Sequence, residues 1–146
     1  MIDIVLWSNL LVLPFWLLMT WFPRWHRTRQ IMSTPWPVAP AAVLFVLLLL
    51  PQARTAIPTI LFNPTTDGMR SLLSSSLGIA TAWVHMITVD LFLGRWAYLE
   101  SRQYDFPPLH MFFILLTTLT AGPVGFLVYL VYRSVRLKNR GVTASA

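Results

Sequence analysis

Between Trp83 and Trp96 the chain reads Trp-Val-His-Met-Ile-Thr-Val-Asp-Leu-Phe-Leu-Gly-Arg-Trp, so three ionisable side chains, His85, Asp90 and Arg95, stand inside an apolar run over 77–99. A run of that length crosses a bilayer, since a spanning helix needs about 20 mostly apolar residues. An Asp at the centre of such a helix costs about 2.5–3.5 kcal/mol on the insertion scale. A sequence carries that cost where the group has a partner, lines a wet cavity or does chemistry. His85 and Asp90 are therefore the candidate catalytic residues: both exchange protons, and burial tunes their proton affinity. Arg95 either snorkels to the headgroups or takes a structural or catalytic role. Asp90 and Arg95 are five apart, off the spacing of a good helix pair, so Asp90 looks to another helix. Thr117, Thr118, Thr120, Tyr129 and Arg133 are its candidate partners. His85, Thr88, Phe92 and Trp96 share one helix face. A His among aromatics there either holds a pigment or hydrogen-bonds a neighbouring helix.

Other chemistries find little support. His26, His85 and His110 fall in different segments without paired metal-ligand spacing, and no metal is expected. There is no phosphate-cradling glycine loop, no nucleophile elbow and no cysteine.

The elements that must position these residues follow from composition. Of 146 residues, 56% are hydrophobic and 11% charged, with mean hydropathy +0.64; soluble domains carry about 25% charged residues. This composition marks an integral membrane protein of one domain. The net charge is +6. The basic residues sit in short segments beside apolar runs, so the partner they imply is anionic lipid and not nucleic acid. Trp21, Trp25, Trp36 and Trp96 fit interfacial belts.

The expected fold is all-α: an integral membrane bundle of four transmembrane helices over 4–22, 36–51, 72–99 and 109–132, in one multi-pass domain 1–146 with a basic tail 133–146. Pro14 should kink the first span, which reads as a retained helix and not a cleaved signal. The loop Arg24–Arg29 is a headgroup contact or a specific anionic-ligand site. The second span is short and Pro51 ends or kinks it. The stretch 52–67 reads as a loop or a re-entrant segment, with Asp67 capping a helix that begins near Gly68. Glu100 to Pro108 reads as a polar loop. In the last span, Ala121-Gly122-Pro123-Val124-Gly125 is a small-residue patch that should face another helix, the third span first among them. Arg133, Arg136, Lys138 and Arg140 form the tail. Four crossings put both termini on one side and Arg24–Arg29 on the other. The basic residues divide six against five, which favours cytoplasmic termini.

Three blocks carry a resemblance. The first is Ser8-Asn9-Leu10-Leu11-Val12-Leu13-Pro14-Phe15-Trp16-Leu17-Leu18-Met19 with Pro23, Trp25 and Thr28. The second is Ala82-Trp83-Val84-His85 with Asp90-Leu91-Phe92-Leu93-Gly94-Arg95-Trp96. The third is Gly122-Pro123-Val124-Gly125-Phe126-Leu127-Val128-Tyr129 with Arg133. In these the chain resembles the ABA4-like membrane proteins, named after a plant protein needed for neoxanthin formation. It departs from them at Thr88-Val89, where a more apolar approach to the Asp is expected, and 52–67 matches no block.

The resemblance implies carotenoid metabolism. One form is an isomerase-type enzyme acting on a xanthophyll, with His85 and Asp90 as acid and base for opening an epoxide and forming an allene. Another is a non-enzymatic subunit of a photosynthetic pigment–protein complex that contacts carotenoid or chlorophyll. A third is a helix bundle that organises partners in the membrane. Trp83, Phe92, Gly94, Arg95, Trp96, Gly122, Pro123, Gly125, Tyr129 and Arg133 are the structural or ligand-lining candidates. Carotenoid or another pigment is the one cofactor implied. Membrane lipid, carotenoid, membrane-protein partners or a second copy of the chain are the expected partners. With no plastid transit segment read at its start, the chain is expected in a bacterial inner membrane, or else in a thylakoid membrane.

Overall fold

A chain this apolar must satisfy its backbone polar groups internally, and helices do so. The computed structural model describes residues 3–62 and 64–139, and every regular element among them is helical. Four helical stretches are long and apolar enough to cross a membrane: Ile4–Trp21, Ala39–Phe62, Ser76–Gln103 and Pro108–Asn139. The expected all-α class and the four apolar stretches are thus found. Arg140, at the end of the basic tail, lies outside the described residues. The chain divides into two compact units, Met1–Pro14 with Pro35–Thr88 and Phe15–Thr34 with Val89–Ala146.

In the first unit, Asp3 opens helix α1 (Ile4–Trp21): its Oδ1 accepts from the backbone N–H of Val5 at 3.1 Å and of Leu6 at 3.3 Å. Helix α2 (His26–Ser33) belongs to the second unit. Helix α3 (Ala39–Leu49) does not end at Pro51 as the sequence led us to expect. One 3-10 turn, Leu50–Gln52, carries the chain directly into α4 (Ala53–Phe62). Pro51 stands in the first turn of that segment, where its missing N–H costs little, and an apolar environment favours continued helix over open loop. The second apolar stretch is therefore longer than 36–51. Thr65 caps α5 (Thr66–Leu72), its Oγ1 accepting from the Gly68 N–H at 3.2 Å; Asp67 sits in the first turn instead of capping it. Helix α6 (Ser76–Gln103) follows. Leu48, Ala80 and Val84 form the buried core of this unit, with Leu44, Phe45 and Leu77 against them.

The second unit departs from expectation in two places. Glu100 to Gln103 are helical, not loop. The helix ends only where Asp105 takes a left-handed backbone, φ 47°, and Phe106 N–H reaches back to the Ser101 carbonyl at 2.9 Å. This is the Schellman way of satisfying terminal carbonyls, with Asp in the place glycine usually fills. Arg102 Nη2 then donates to the Phe106 carbonyl at 2.5 Å, and Phe106 is fully buried.

The other departure is a reversal. Helix α7 (Pro108–Asn139) breaks at Ala121, φ −145° and ψ 59°, just before Gly122-Pro123. Proline removes a helical donor and pushes its predecessor out of the α region, which places the break here. The two arms then fold back on each other. His110 and Tyr132 stack with ring centroids 5.4 Å apart, although 22 residues of straight helix would separate them by about 33 Å. Phe106 also meets Tyr132, at 5.3 Å. Threonine hydroxyls cover carbonyls next to the break: Thr120 Oγ1 donates to Leu116 and Thr117, and Thr118 Oγ1 to Ile114. The last apolar stretch is thus a helical hairpin and not one straight span over 109–132. Its second arm runs in the same direction as α6, as the pairings 96 with 129 and 100 with 133 require.

Two outcomes follow. The reversal brings the end of α7 to the end of the unit that carries α2, so cysteines at Arg27 and Lys138 should be labelled by a membrane-impermeant reagent from the same side of sealed vesicles. Labelling from opposite sides would restore the single straight span. At Gly125, a Cβ would run into the Thr118 backbone across the break, not into another helix as expected. Gly125→Ala should lower stability by about 1–3 kcal/mol through overpacking, read as a lower melting temperature in detergent, and an unchanged transition would mean that the arms are not closely packed there.

Candidate functional site

His85 and Asp90 fall in different units, and each is set by its own surroundings. His85 is exposed, and its ring lies against Phe45 with centroids 5.2 Å apart. It stands in the wall of a cavity of about 450 Å³ built by α3, the 3-10 turn, α4, α5 and α6. That volume is in the range of small-molecule sites. The wall is apolar, with Phe45, Leu49, Ile60 and Leu72 among its members, and its polar side chains are Gln52, Thr81 and His85. Gln52 Nε2 donates to Thr81 Oγ1 at 2.6 Å and to the Leu48 carbonyl at 3.2 Å. Trp83, on the same helix, is half-buried, with its indole N–H enclosed and unpartnered among the described residues.

Asp90 is half-buried and its carboxyl group lies on Gly122, where a Cβ would meet the carboxyl carbon at 2.7 Å. Gly122 opens the second arm of α7, so the carboxylate stands at the positive end of a helix dipole. None of the partners expected for it is engaged: among the described residues Asp90 forms no hydrogen bond and no ion pair. Thr117, Thr118 and Thr120 bond carbonyls of their own helix. Tyr129 and Arg133 turn to Glu100.

Glu100 is the residue the sequence reading missed, because the polar string around it reads as a loop. Tyr129 O–H donates to its Oε2 at 2.7 Å and Arg133 Nε–H to its Oε1 at 2.9 Å. Tyr129 is fully buried, and the ion pair is nearly so, at 13% side-chain exposure for Glu100 and 23% for Arg133. A signal was present: Tyr129 and Arg133 are four apart, on one helix face, and can share one carboxylate. Trp96 packs edge-on against Tyr129 at 5.6 Å and beside Phe126 at 5.4 Å.

The remaining candidates hold structure. Gly94 is buried and makes room for the Trp16 indole. Arg95 neither snorkels nor meets Asp90: it donates to the carbonyls of Thr34 at 3.0 Å and Ser33 at 3.2 Å, capping the end of α2. Tyr98 O–H holds the Pro23 carbonyl at 2.9 Å, just before that helix begins. Phe92 and Pro123 are exposed.

Removing only the carboxylate should leave Arg133 and the buried Tyr129 hydroxyl unmatched. Glu100→Leu should therefore destabilise by about 3 kcal/mol, the lower end for a broken buried pair given the partial exposure. Adding Tyr129→Phe and Arg133→Met should recover most of it, as thermal melts of the single and triple variants would read. A triple variant no more stable than the single one would show that the network does more than neutralise its own members.

No solved structure matches the chain. Among curated proteins it is similar to "Protein ABA DEFICIENT 4, chloroplastic" of Arabidopsis thaliana, at 28% identity over 129 residues, covering 85% of this chain. The chain spans 57% of that relative's length. The ABA DEFICIENT 4-like description matches residues 4–129, which takes in nearly all of the three blocks read from the sequence. The chain belongs to the ABA DEFICIENT 4-like (ABA4-like) family.

Proposed function

We propose that the chain is a carotenoid-related membrane protein that takes one end of a xanthophyll in the cavity beside His85. The cavity itself carries this reading: an apolar space of about 450 Å³ with a few polar groups is what a largely hydrocarbon ligand needs. Family membership supports it, through the resemblance to proteins tied to neoxanthin formation. The conversion we assign is isomerase-type, with no net gain or loss of atoms. A proton goes to the epoxide oxygen as the ring opens, and another leaves carbon as the allene forms. Asp90 and His85 are the groups for that exchange. Asp90 suits it because no cation or donor among the described residues holds its carboxylate in one state.

A second reading is a non-enzymatic pigment-binding subunit. The exposure of Phe92 at 51% and Trp96 at 37% favours it, since aromatic surface at helix faces suits contact with a pigment or a neighbouring protein.

Asp90→Asn separates the two. With no ion pair to break, the variant should keep its stability. If the carboxylate transfers protons, turnover of an added epoxide-bearing xanthophyll by the purified protein should fall by about 100-fold or more while bound pigment is retained. Full turnover by the Asn variant would remove Asp90 from the chemistry. Pigment retained by wild type without any turnover would favour the subunit reading.

A further inference from the structure

The direction of each hydrogen bond in the cavity wall can be worked out. The Leu48 carbonyl can only accept, so the Gln52 side-chain nitrogen must be the atom facing it, which fixes the amide's orientation. Thr81 has one hydroxyl proton, and it goes to the Leu77 carbonyl at 2.8 Å. Thr81 Oγ1 is therefore the acceptor in its 2.6 Å bond with Gln52. Both protons of the Gln52 amide are now used. Its carbonyl oxygen Oε1 has no partner among the described residues, and Gln52 lines the cavity. A carbonyl oxygen left without a donor in apolar surroundings is costly.

This asymmetry sorts ligand end groups. A ketone or an ester would set acceptor against acceptor at Oε1. A carboxylate would do the same and bring a charge into a wall that holds no Lys or Arg. An ammonium would donate, but the wall offers no carboxylate to balance it. A neutral hydroxyl has the one proton required and little desolvation cost.

We infer that the cavity recognises the hydroxylated end of an otherwise apolar molecule, whose O–H donates to Gln52 Oε1, and that Leu77, Thr81 and Leu48 hold the amide in the orientation that makes this possible. The inference rests on the cavity being the ligand site. It adds a specificity determinant: Gln52 separates terminal alcohols from the corresponding hydrocarbons, and the Gln52–Thr81 pair makes no use of His85 or Asp90.

The test uses the full chain in detergent micelles and two probes, a hydrocarbon carotene and its counterpart hydroxylated on the end rings. Binding is read by quenching of tryptophan fluorescence. Wild type should bind the hydroxylated probe about three- to tenfold more tightly, the range for one net hydrogen bond. Gln52→Met, which keeps length and apolar volume, should bind both probes alike. The wild-type comparison decides the matter even if that variant fails to fold. Equal affinities for the two probes in wild type would assign Oε1 to water and overturn the inference while leaving the cavity as a ligand site. Binding of neither probe would overturn the cavity reading and the inference together.

Discussion

The second unit depends on the chain reversing direction at Ala121 in an apolar setting. A turn there must leave few backbone groups unmatched and must let two helix backbones approach closely. Pro123 breaks the ladder, threonine hydroxyls cover nearby carbonyls, and Gly125 lets the second arm lie on the backbone at Thr118. Each polar feature of the unit then follows from the return of that arm along α6. Gly122 is brought to Asp90, Tyr129 and Arg133 are brought to Glu100, and Tyr132 closes over Phe106 and His110. In a straight α7 those side chains would stand far beyond reach.

The two acids on α6 are handled in different ways. Glu100, the chain's one glutamate, sits in the last turn of α6, where free carbonyls make the setting unfavourable for a negative charge. It receives a cation and a phenol. Asp90 receives neither and has instead the start of a helix and the space of a glycine. The first arrangement locks two helices in register. The second leaves a carboxylate able to change state, which is why the chemistry is assigned to Asp90.

The apolar runs and the three family blocks were legible because long hydrophobic stretches have few meanings. The number of apolar stretches was right for that reason. What they do inside the fold was less legible. The run over 109–132 reads as one crossing, because hydropathy does not register a reversal; Gly122-Pro123 was the mark of it, but close approach by small residues was expected to serve a neighbouring helix. Pro51 looked like an end because prolines end helices in water, whereas here one 3-10 turn absorbs it. Arg95 could not be assigned from spacing, since its partners are backbone carbonyls 61 and 62 residues away. Gln52 stood out in no pattern, and only the direction of its hydrogen bonds gives it meaning.

The doubled-back helix also changes the work of placing the chain in an energised membrane. Counted along four straight crossings, the cationic side chains fall almost evenly on the two sides. With α7 reversed, Arg133, Arg136 and Lys138 join Arg24, Arg27, Arg29, Arg95 and Arg102 at one end of the second unit. Moving one elementary charge through a potential of 100 mV takes about 2.3 kcal/mol. A straight α7 would have to carry three cations through the bilayer; the hairpin carries none, since its apex, Ala121 and Gly122, is all that enters from that end. The break at Ala121 is thereby a device for translocation as much as for packing, because it spares the chain's most charged segment the crossing.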